Sequence, residues 1–350
     1  MVKRVGVGLV GPGFVADSSH MPSYREIESA NIIAVSGRNQ NRTEHFAKRW
    51  NIKNAYYGEG AIEKMCRDPR IDLVDVCLPN NLHLEAIELA AENHKDVICE
   101  KPLGRNRKEA KRALQAANRY GVIHCYAENQ VFIPQLSRAM EFIDKHLIGN
   151  INWVRAREAH SGPHSDWFWD PKRSGGGVLL DMGCHSIEAE RHILKKKPTE
   201  VIAWCATLVH KIESEDNSLV TVKYEDGSIG QSENSWSALG GLDMRFEIYG
   251  DKGAVFVNPT RETGITMYTV APEERSAPVV EKAEVKKGWL FPTWREHQLY
   301  GYLDELRNFL TCILESKEPK ETFRDGYLVN SIIDAAYESC KKERWISIGS

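Results

Sequence analysis

Residues 5–16 read VGVGLVGPGFVA, an apolar run that passes straight into a Gly-Pro-Gly turn. A chain can do little with this pattern except build a buried strand, a tight turn and the start of a helix. The run from Val5 to Val10 has no helical period, and Gly11, Gly13 and Ala16 fit G-x-G-x-x-G/A with Phe14 at the tip. In such a turn the backbone approaches a pyrophosphate, which the helix N-terminus then binds. The motif is short, and a glycine turn with no ligand satisfies it equally well.

The residues beyond the turn give it a setting. Residues 31–37, 71–79, 96–102 and 122–128 read as further strands, with helical periodicity over 42–50, 82–93 and 107–121. This alternation predicts an α/β fold, an N-terminal Rossmann domain with a doubly wound parallel sheet. Ligands of such sheets bind outside the carboxyl ends of the strands. Those ends carry Gly11, Arg38, Pro79-Asn80, Glu100-Lys101-Pro102 and Glu128-Asn129. The tip of the second strand, Val35-Ser36-Gly37-Arg38-Asn39, has no carboxylate for the ribose diol of NAD. Gly37 leaves room for a 2′-phosphate and Arg38 supplies its counter-charge, so the cofactor reading is NAD(P), leaning to NADP with NAD as the alternative.

After about Asn129 the rhythm changes. Residues 151–160, 200–210, 218–224, 228–237, 244–249 and 264–270 read as strands, with hairpin signals in EDGS (225–228) and GDKG (250–253). In RFEIY apolar residues alternate with charged ones, the pattern of a half-buried strand. The expectation is a C-terminal α+β domain on a mostly antiparallel open sheet, its free face covered by helices or a partner subunit. Helices are expected over 295–314 and 326–341, and a surface loop over 271–287. The domains are set at 1–127 for the dinucleotide and 128–350 for substrate and oligomerisation.

A chain of 350 residues exceeds one ordinary core, which agrees with two domains. The net charge of −3 gives no electrostatic reason to expect nucleic acid or an anionic membrane as partner. No apolar run reaches the length of a membrane span. The first residues, MVKRVGVGLV, resemble a signal peptide, but the Gly-Pro-Gly interruption and the missing A-x-A site argue against one. Eight cysteines lie scattered with no CxxC pair, the pattern of reduced, buried thiols in a cytoplasmic protein.

A second stretch, SGGGVLLDMGCHSIE (174–188), admits three readings. A P-loop needs a lysine after its glycines, and none is present. With a helix starting near Val178, Asp181, His185 and Glu188 share one face and could ligate a metal, but no second ligand pair stands out. The expectation is no metal. The third reading is acid–base chemistry: oxidation of a secondary alcohol needs a proton acceptor of near-neutral pKa, an acid to orient it and a cation for the developing alkoxide. His185, Asp181 and Lys101 are of these types. The flexible glycines then serve as the entry to a helix, and Cys184 is a bystander.

GPGFVA, LPNNLH (78–83), CEKPL (99–103) and GGGVLLDMGCHSIE, in this order, resemble the Gfo/Idh/MocA oxidoreductases over essentially the whole chain. The resemblance implies hydride transfer between NAD or NADP and a hydroxyl of a sugar, glycoside or polyol. It implies that Lys101 holds the reacting hydroxyl, Asp181 assists in positioning and His185 is the general base. Pro79, Asn80, His83 and Glu100 match the segment lining the cofactor cleft, and Asn129 a position near the nicotinamide ribose. Leu78 departs from the small residue usual there. His160, His164, Trp167 and Trp169 lie where a substrate loop would sit; the indoles either stack on a sugar or plug the core. The arrangement GPH, WFWD, GGG resembles members that oxidise the C3 hydroxyl of a glucosyl unit. Two further readings stay open: glycoside hydrolysis through transient oxidation and elimination, and a non-catalytic NAD(P)-binding protein. A homo-oligomer, dimer to hexamer, through the C-terminal sheet is also implied.

Overall fold

The computed structural model describes residues 3–270, 288–293 and 295–349, so the expected loop over 271–287 lies outside the described residues. The chain divides into two compact units, Met1–Phe132 with Gly301–Asn330, and Ile133–Tyr300 with Ser331–Ser350.

The first unit is built on six strands, β1 (Val5–Val10), β2 (Ala30–Gly37), β3 (Asn54–Tyr57), β4 (Leu73–Val76), β5 (Asp96–Glu100) and β6 (His124–Ala127). They are all parallel, in the order β3-β2-β1-β4-β5-β6. This is the order of two mononucleotide-binding halves that diverge between β1 and β4. All six residues of β1 are buried because both faces of the sheet are covered. Val5, Val7 and Leu9 join one apolar cluster, whereas Val10, Val74 and Val76 join the other. Alanines 110, 113 and 117 let the helix Arg107–Tyr120 lie close to the second cluster, and the Asn106 side chain caps that helix by accepting the Glu109 N–H at 3.0 Å. The first cluster is completed from far along the chain, by Leu303, Leu306, Phe309 and Leu310 of the helix Tyr302–Glu315.

In the second unit β7 (Ile151–Ala159), β8 (Pro198–Ala206), β9 (Asn217–Tyr224), β10 (Ile229–Ser235), β11 (Asp243–Gly250) and β12 (Gly253–Val257) form a sheet. Two short strands, β13 (Met267–Thr269) and β14 (Gly288–Leu290), pair separately, and β15 (Ile346–Ser347) completes the large sheet in the order β12-β11-β7-β10-β9-β8-β15. Only the β7–β10 pair is parallel. The helix Gly183–Leu194 packs on the inner face, over β7 and β10. Along β7, Val154 and Ala156 point inward, while Trp153, Arg155 and Arg157 point outward, the period-two alternation of a sheet with one open face.

Four expectations are corrected. The strand over 264–270 is confined to Met267–Thr269. The helix over 295–314 is broken at Gly301, whose φ of +91° ends the short helix Glu296–Leu299 before Tyr302–Glu315 begins. The single helix expected across Asp181 and His185 is two, Val178–Asp181 and Gly183–Leu194, joined at Met182. Cys205 and Cys340 form a disulfide, with Cα atoms 5.9 Å apart and a sequence separation of 135; the remaining six cysteines are free. Spacing in the sequence gives no hint of a pair whose meeting depends on how β8 and the C-terminal helix pack.

Candidate active site

At the carboxyl edge of the parallel sheet the glycines have separate reasons. Gly11 has φ +94°, and a Cβ there would meet the Cys77 carbonyl oxygen and lie 3.1 Å from Leu78 Cδ2. The turn is thus packed against the end of β4 that leads to Pro79-Asn80, and Leu78 is the side chain it packs on. At Gly37 a Cβ would lie 2.9 Å from Pro12 Cδ, so the tip of β2 backs the same turn. Arg42 Nε donates to the Pro12 carbonyl at 2.9 Å. Gly13 differs: the nearest atom to an added Cβ is 3.8 Å away. Nothing in the protein itself requires glycine there, which leaves an open approach to the backbone at the turn, as a pyrophosphate needs. The residues present therefore fit a dinucleotide. Phe14 and Arg38 are exposed, Ala16 is buried in the core, and Asn39 caps the helix Gln40–Trp50 by accepting the Arg42 N–H.

Four other sequence-selected residues of this unit are buried for identifiable reasons. His83 is wholly enclosed, with Nδ1 2.9 Å from the Pro102 carbonyl and Nε2 2.8 Å from the Leu78 carbonyl. It ties the loop after β4 to the loop after β5. Burial pulls its pKa down, against the pull of the two carbonyls. Asn80 and Asn129 are buried in short helical turns after β4 and β6. Glu100, at the end of β5, is buried, and its Oε2 accepts the N–H of the half-buried Lys101 at 3.1 Å. The Lys101–Pro102 peptide is cis.

Sequence reading missed the partner of Glu100. His20 lies at the end of the π-helical turn Ala16–His20 that follows the glycines. Its Nε2 is 2.9 Å from Glu100 Oε1 and its Nδ1 2.8 Å from Asp75 Oδ2, which also accepts from Tyr24 OH at 2.9 Å. Burial opposes charge on this ring, but the facing Asp75 carboxylate outweighs it and holds the pKa well above the ordinary value. The ring thus sits between two acidic side chains that favour its charged form. The one signal in the sequence was the acid inside the apolar run IDLVDVC. Cys77 is close enough to join His20 and Asp75 around a cation, yet the hydrogen bond between the latter two already satisfies them.

In the second unit the triple glycine is neither flexible nor a cradle. Gly176 and Gly177 are buried, and a Cβ would run into Tyr337 OH at the first and the Glu215 backbone at the second. The Glu215 carboxylate accepts the N–H groups of Gly177 and Leu179 at 3.1 and 3.0 Å and the Tyr337 hydroxyl at 2.8 Å. It caps the helix Val178–Asp181 from a distant loop. Asp181 and His185 are both buried, and Asp181 Oδ2 accepts from Trp236 Nε1 at 3.3 Å. Trp236, also missed, is the largest fully buried side chain among the described residues and reads in sequence as ordinary core.

Of the four candidate substrate residues, the two tryptophans pack on the cluster that contains Trp236. Trp169 stands edge-on to Trp236, with ring centroids 5.3 Å apart, and Trp167 stacks on Phe168 at 3.7 Å. Both indoles rest on the small cluster of Phe168, Val178, Met182 and Trp236 yet stay half-exposed. His160 is buried, with Nδ1 accepting the Gly162 N–H, whereas His164 is exposed beside Ser165.

A family model described as an oxidoreductase family with an NAD-binding Rossmann fold matches residues 5–128, and a model of the GFO/IDH/MocA C-terminal domain matches residues 136–256. Myo-inositol 2-dehydrogenase of Thermotoga maritima is 25% identical over 346 residues, 98% of each chain. Levoglucosan dehydrogenase of Pseudarthrobacter phenanthrenivorans is 25% identical over 389 residues, 99% of each. The crystal structure of GenD2 from gentamicin A biosynthesis, in complex with NAD, superposes with a TM-score of 0.92 at 27% identity, covering 100% of this chain and 98% of that one. No described helix is long and apolar enough to cross a membrane.

Proposed function

The chain belongs to the Gfo/Idh/MocA oxidoreductase family, and on that premise we propose that it is an NAD(P)-dependent dehydrogenase of a secondary hydroxyl on a sugar, glycoside or polyol. The observation that carries the reading is the carboxyl edge of the parallel sheet, where the turn leaves its backbone open at Gly13 and Lys101 directly follows the end of β5. Bound NAD(P) supplies the hydride acceptor. Lys101 holds the substrate hydroxyl and offsets the negative charge that develops on its oxygen. His185 takes the hydroxyl proton at a ring nitrogen. Asp181, itself held by Trp236, fixes the orientation of that base. The half-exposed faces of Trp167 and Trp169 favour a ligand with an apolar C–H face, which suits a pyranose such as a glucosyl unit oxidised at C3. Arg38, exposed at the tip of β2, keeps NADP ahead of NAD.

The outer face of the second sheet carries Trp153, Trp204, Leu219 and Ile229 exposed, between ion pairs such as Arg155–Glu247 at 3.0 Å. A second copy of the chain covering this face is the proposed assembly, and light scattering gives its mass. The proposed location is the cytoplasm, which holds a pool of nicotinamide cofactor.

Oxidation of a panel of sugars, glycosides and inositols with both cofactors, followed by reduced nicotinamide absorbance, tests the reading. Sugar release without net reduction would indicate hydrolysis instead. Lys101→Ala and His185→Ala are each expected to lower kcat by about 10²–10⁴-fold, with cofactor binding retained. Turnover that survives both changes overturns the assignment.

A further inference from the structure

We infer that His20 is a positioning residue for Lys101: its ring, clasped between Asp75 and Glu100, fixes the end of β5 that carries the lysine. The inference rests on the dehydrogenase reading of Lys101. Its geometry is a continuous chain of hydrogen bonds. His20 Nδ1 meets Asp75 Oδ2 at 2.8 Å, His20 Nε2 meets Glu100 Oε1 at 2.9 Å, and Glu100 Oε2 accepts the Lys101 N–H at 3.1 Å. The chain joins three segments, the turn after the glycines, β4 and β5. Glu100 therefore has one oxygen for the ring and one for the lysine's backbone, and turning its carboxylate breaks both contacts.

Stability alone is a poor reason for this arrangement. Asp75, one residue before the end of β4, and Glu100, the last residue of β5, belong to neighbouring strands; both are buried, and the ring between them is wholly enclosed. Apolar side chains of the same volume hold a core at least as firmly as buried ions do. What ions add is direction, since each hydrogen bond fixes the next group in angle as well as distance. The surroundings keep the ring in place: Tyr24 donates to Asp75, Cys77 lies 3.6 Å from Nδ1, and the Tyr302 ring stands 6.0 Å away. Glu305, on the same helix as Tyr302, is wholly buried beside the cluster, and burial pushes its pKa well up.

His20→Gln removes one of the two contacts, and the wild type and variant are compared by kcat, KM, cofactor Kd and the rate at which Lys101 is acylated by an amine-selective reagent. Peptide mass spectrometry reads the acylation, with the exposed Lys48 as internal standard. The expected result is a loss of about tenfold or more in kcat, KM and Kd each within about threefold, and a Lys101 acylation rate shifted by about threefold or more against Lys48. An unmoved kcat and an unmoved acylation rate in a folded variant would overturn the inference. A wild type that oxidises no alcohol defeats the dehydrogenase reading instead, and the acylation rate then decides the role of His20 by itself. Should His20→Gln fail to fold, Glu100→Gln is compared with Glu100→Ala. The amide keeps an oxygen for the Lys101 N–H, so it retains more kcat and a more nearly native acylation rate, whereas equal loss in both sinks the proposal.

Discussion

The two sheets handle charge differently because one is covered on both faces and the other on one. In the parallel sheet the faces are filled by apolar clusters, so polar chemistry is confined to the strand ends. There the buried acids Asp75 and Glu100 share a histidine. The second sheet carries its charges on the open face, as Arg155–Glu247 and Arg157–Asp243 pairs, and against its inner face lies the buried Glu190 of the helix Gly183–Leu194, which accepts from Ser232 at 2.7 Å. A strand end is where a sheet can present backbone and side chains to a ligand. An open face is where it can present them to another protein.

The largest effect is expected at the strand ends. Gly11→Ala puts a Cβ against the Cys77 carbonyl at a φ of +94° and is expected to cost on the order of 2–5 kcal/mol, read as a fall in urea midpoint. Gly13→Ala, with no atom within 3.8 Å of the new Cβ, should leave stability within about 1 kcal/mol while weakening cofactor binding about tenfold or more. If the two variants behave alike, the division between a packing glycine and a ligand glycine is wrong.

Next comes the loop between β8 and β9. The Asp216 carboxylate accepts the N–H groups of Leu208, Val209 and His210 at 2.7, 2.9 and 2.8 Å. Burial would raise its pKa, but these donors prevail and hold it well below the ordinary carboxylate range. A lowered folded pKa contributes stability above the unfolded value near 4, lost as the pH falls through the folded one. Asp216→Asn is therefore expected to cost about 1–3 kcal/mol at pH 7, an advantage of the wild type that shrinks below about pH 4.

Glu190 has the opposite sign. Burial pushes its pKa well up, so the folded state keeps a proton that the unfolded state releases above about pH 4.5. Wild-type stability then falls as the pH rises from there, by up to about 1.4 kcal/mol per pH unit until the folded carboxyl ionises. Glu190→Gln removes this contribution, and unfolding curves between pH 5 and 8 should converge at the acid end and separate at the alkaline end. Curves that stay parallel would show that Glu190 is ionised in the fold. The smallest effect belongs to the open face, where Arg155→Ala should change stability by less than about 1 kcal/mol.

Much of the site was legible where function depends on local backbone chemistry. Gly11, Ala16 and the alternation that builds the parallel sheet follow from φ, sterics and period, and all lie in short windows. The alternation along β11 was equally readable in RFEIY, because a strand's alternation does not depend on its neighbours. His20 escaped notice because its meaning requires Asp75 and Glu100, 55 and 80 residues away. Trp236 escaped because a buried aromatic at a strand end looks the same whether or not its N–H faces a carboxylate. The glycines 176 and 177 were read as the entry to a helix, which Gly177 caps, but only the position of Glu215 and Tyr337 shows that they are small to admit a neighbour.

The sequence by itself determined the α/β class, the glycine turn after the first strand and the residue types near the strand ends. Only the tertiary structure decided that the helix Tyr302–Glu315 completes the first unit's core, that Met182 breaks the helix between Asp181 and His185, and that Cys205 meets Cys340. Periodicity and turn chemistry act over a few residues of covalently fixed geometry. Which distant side chains meet depends on sheet order, register and the packing of helices, which no single stretch of chain contains.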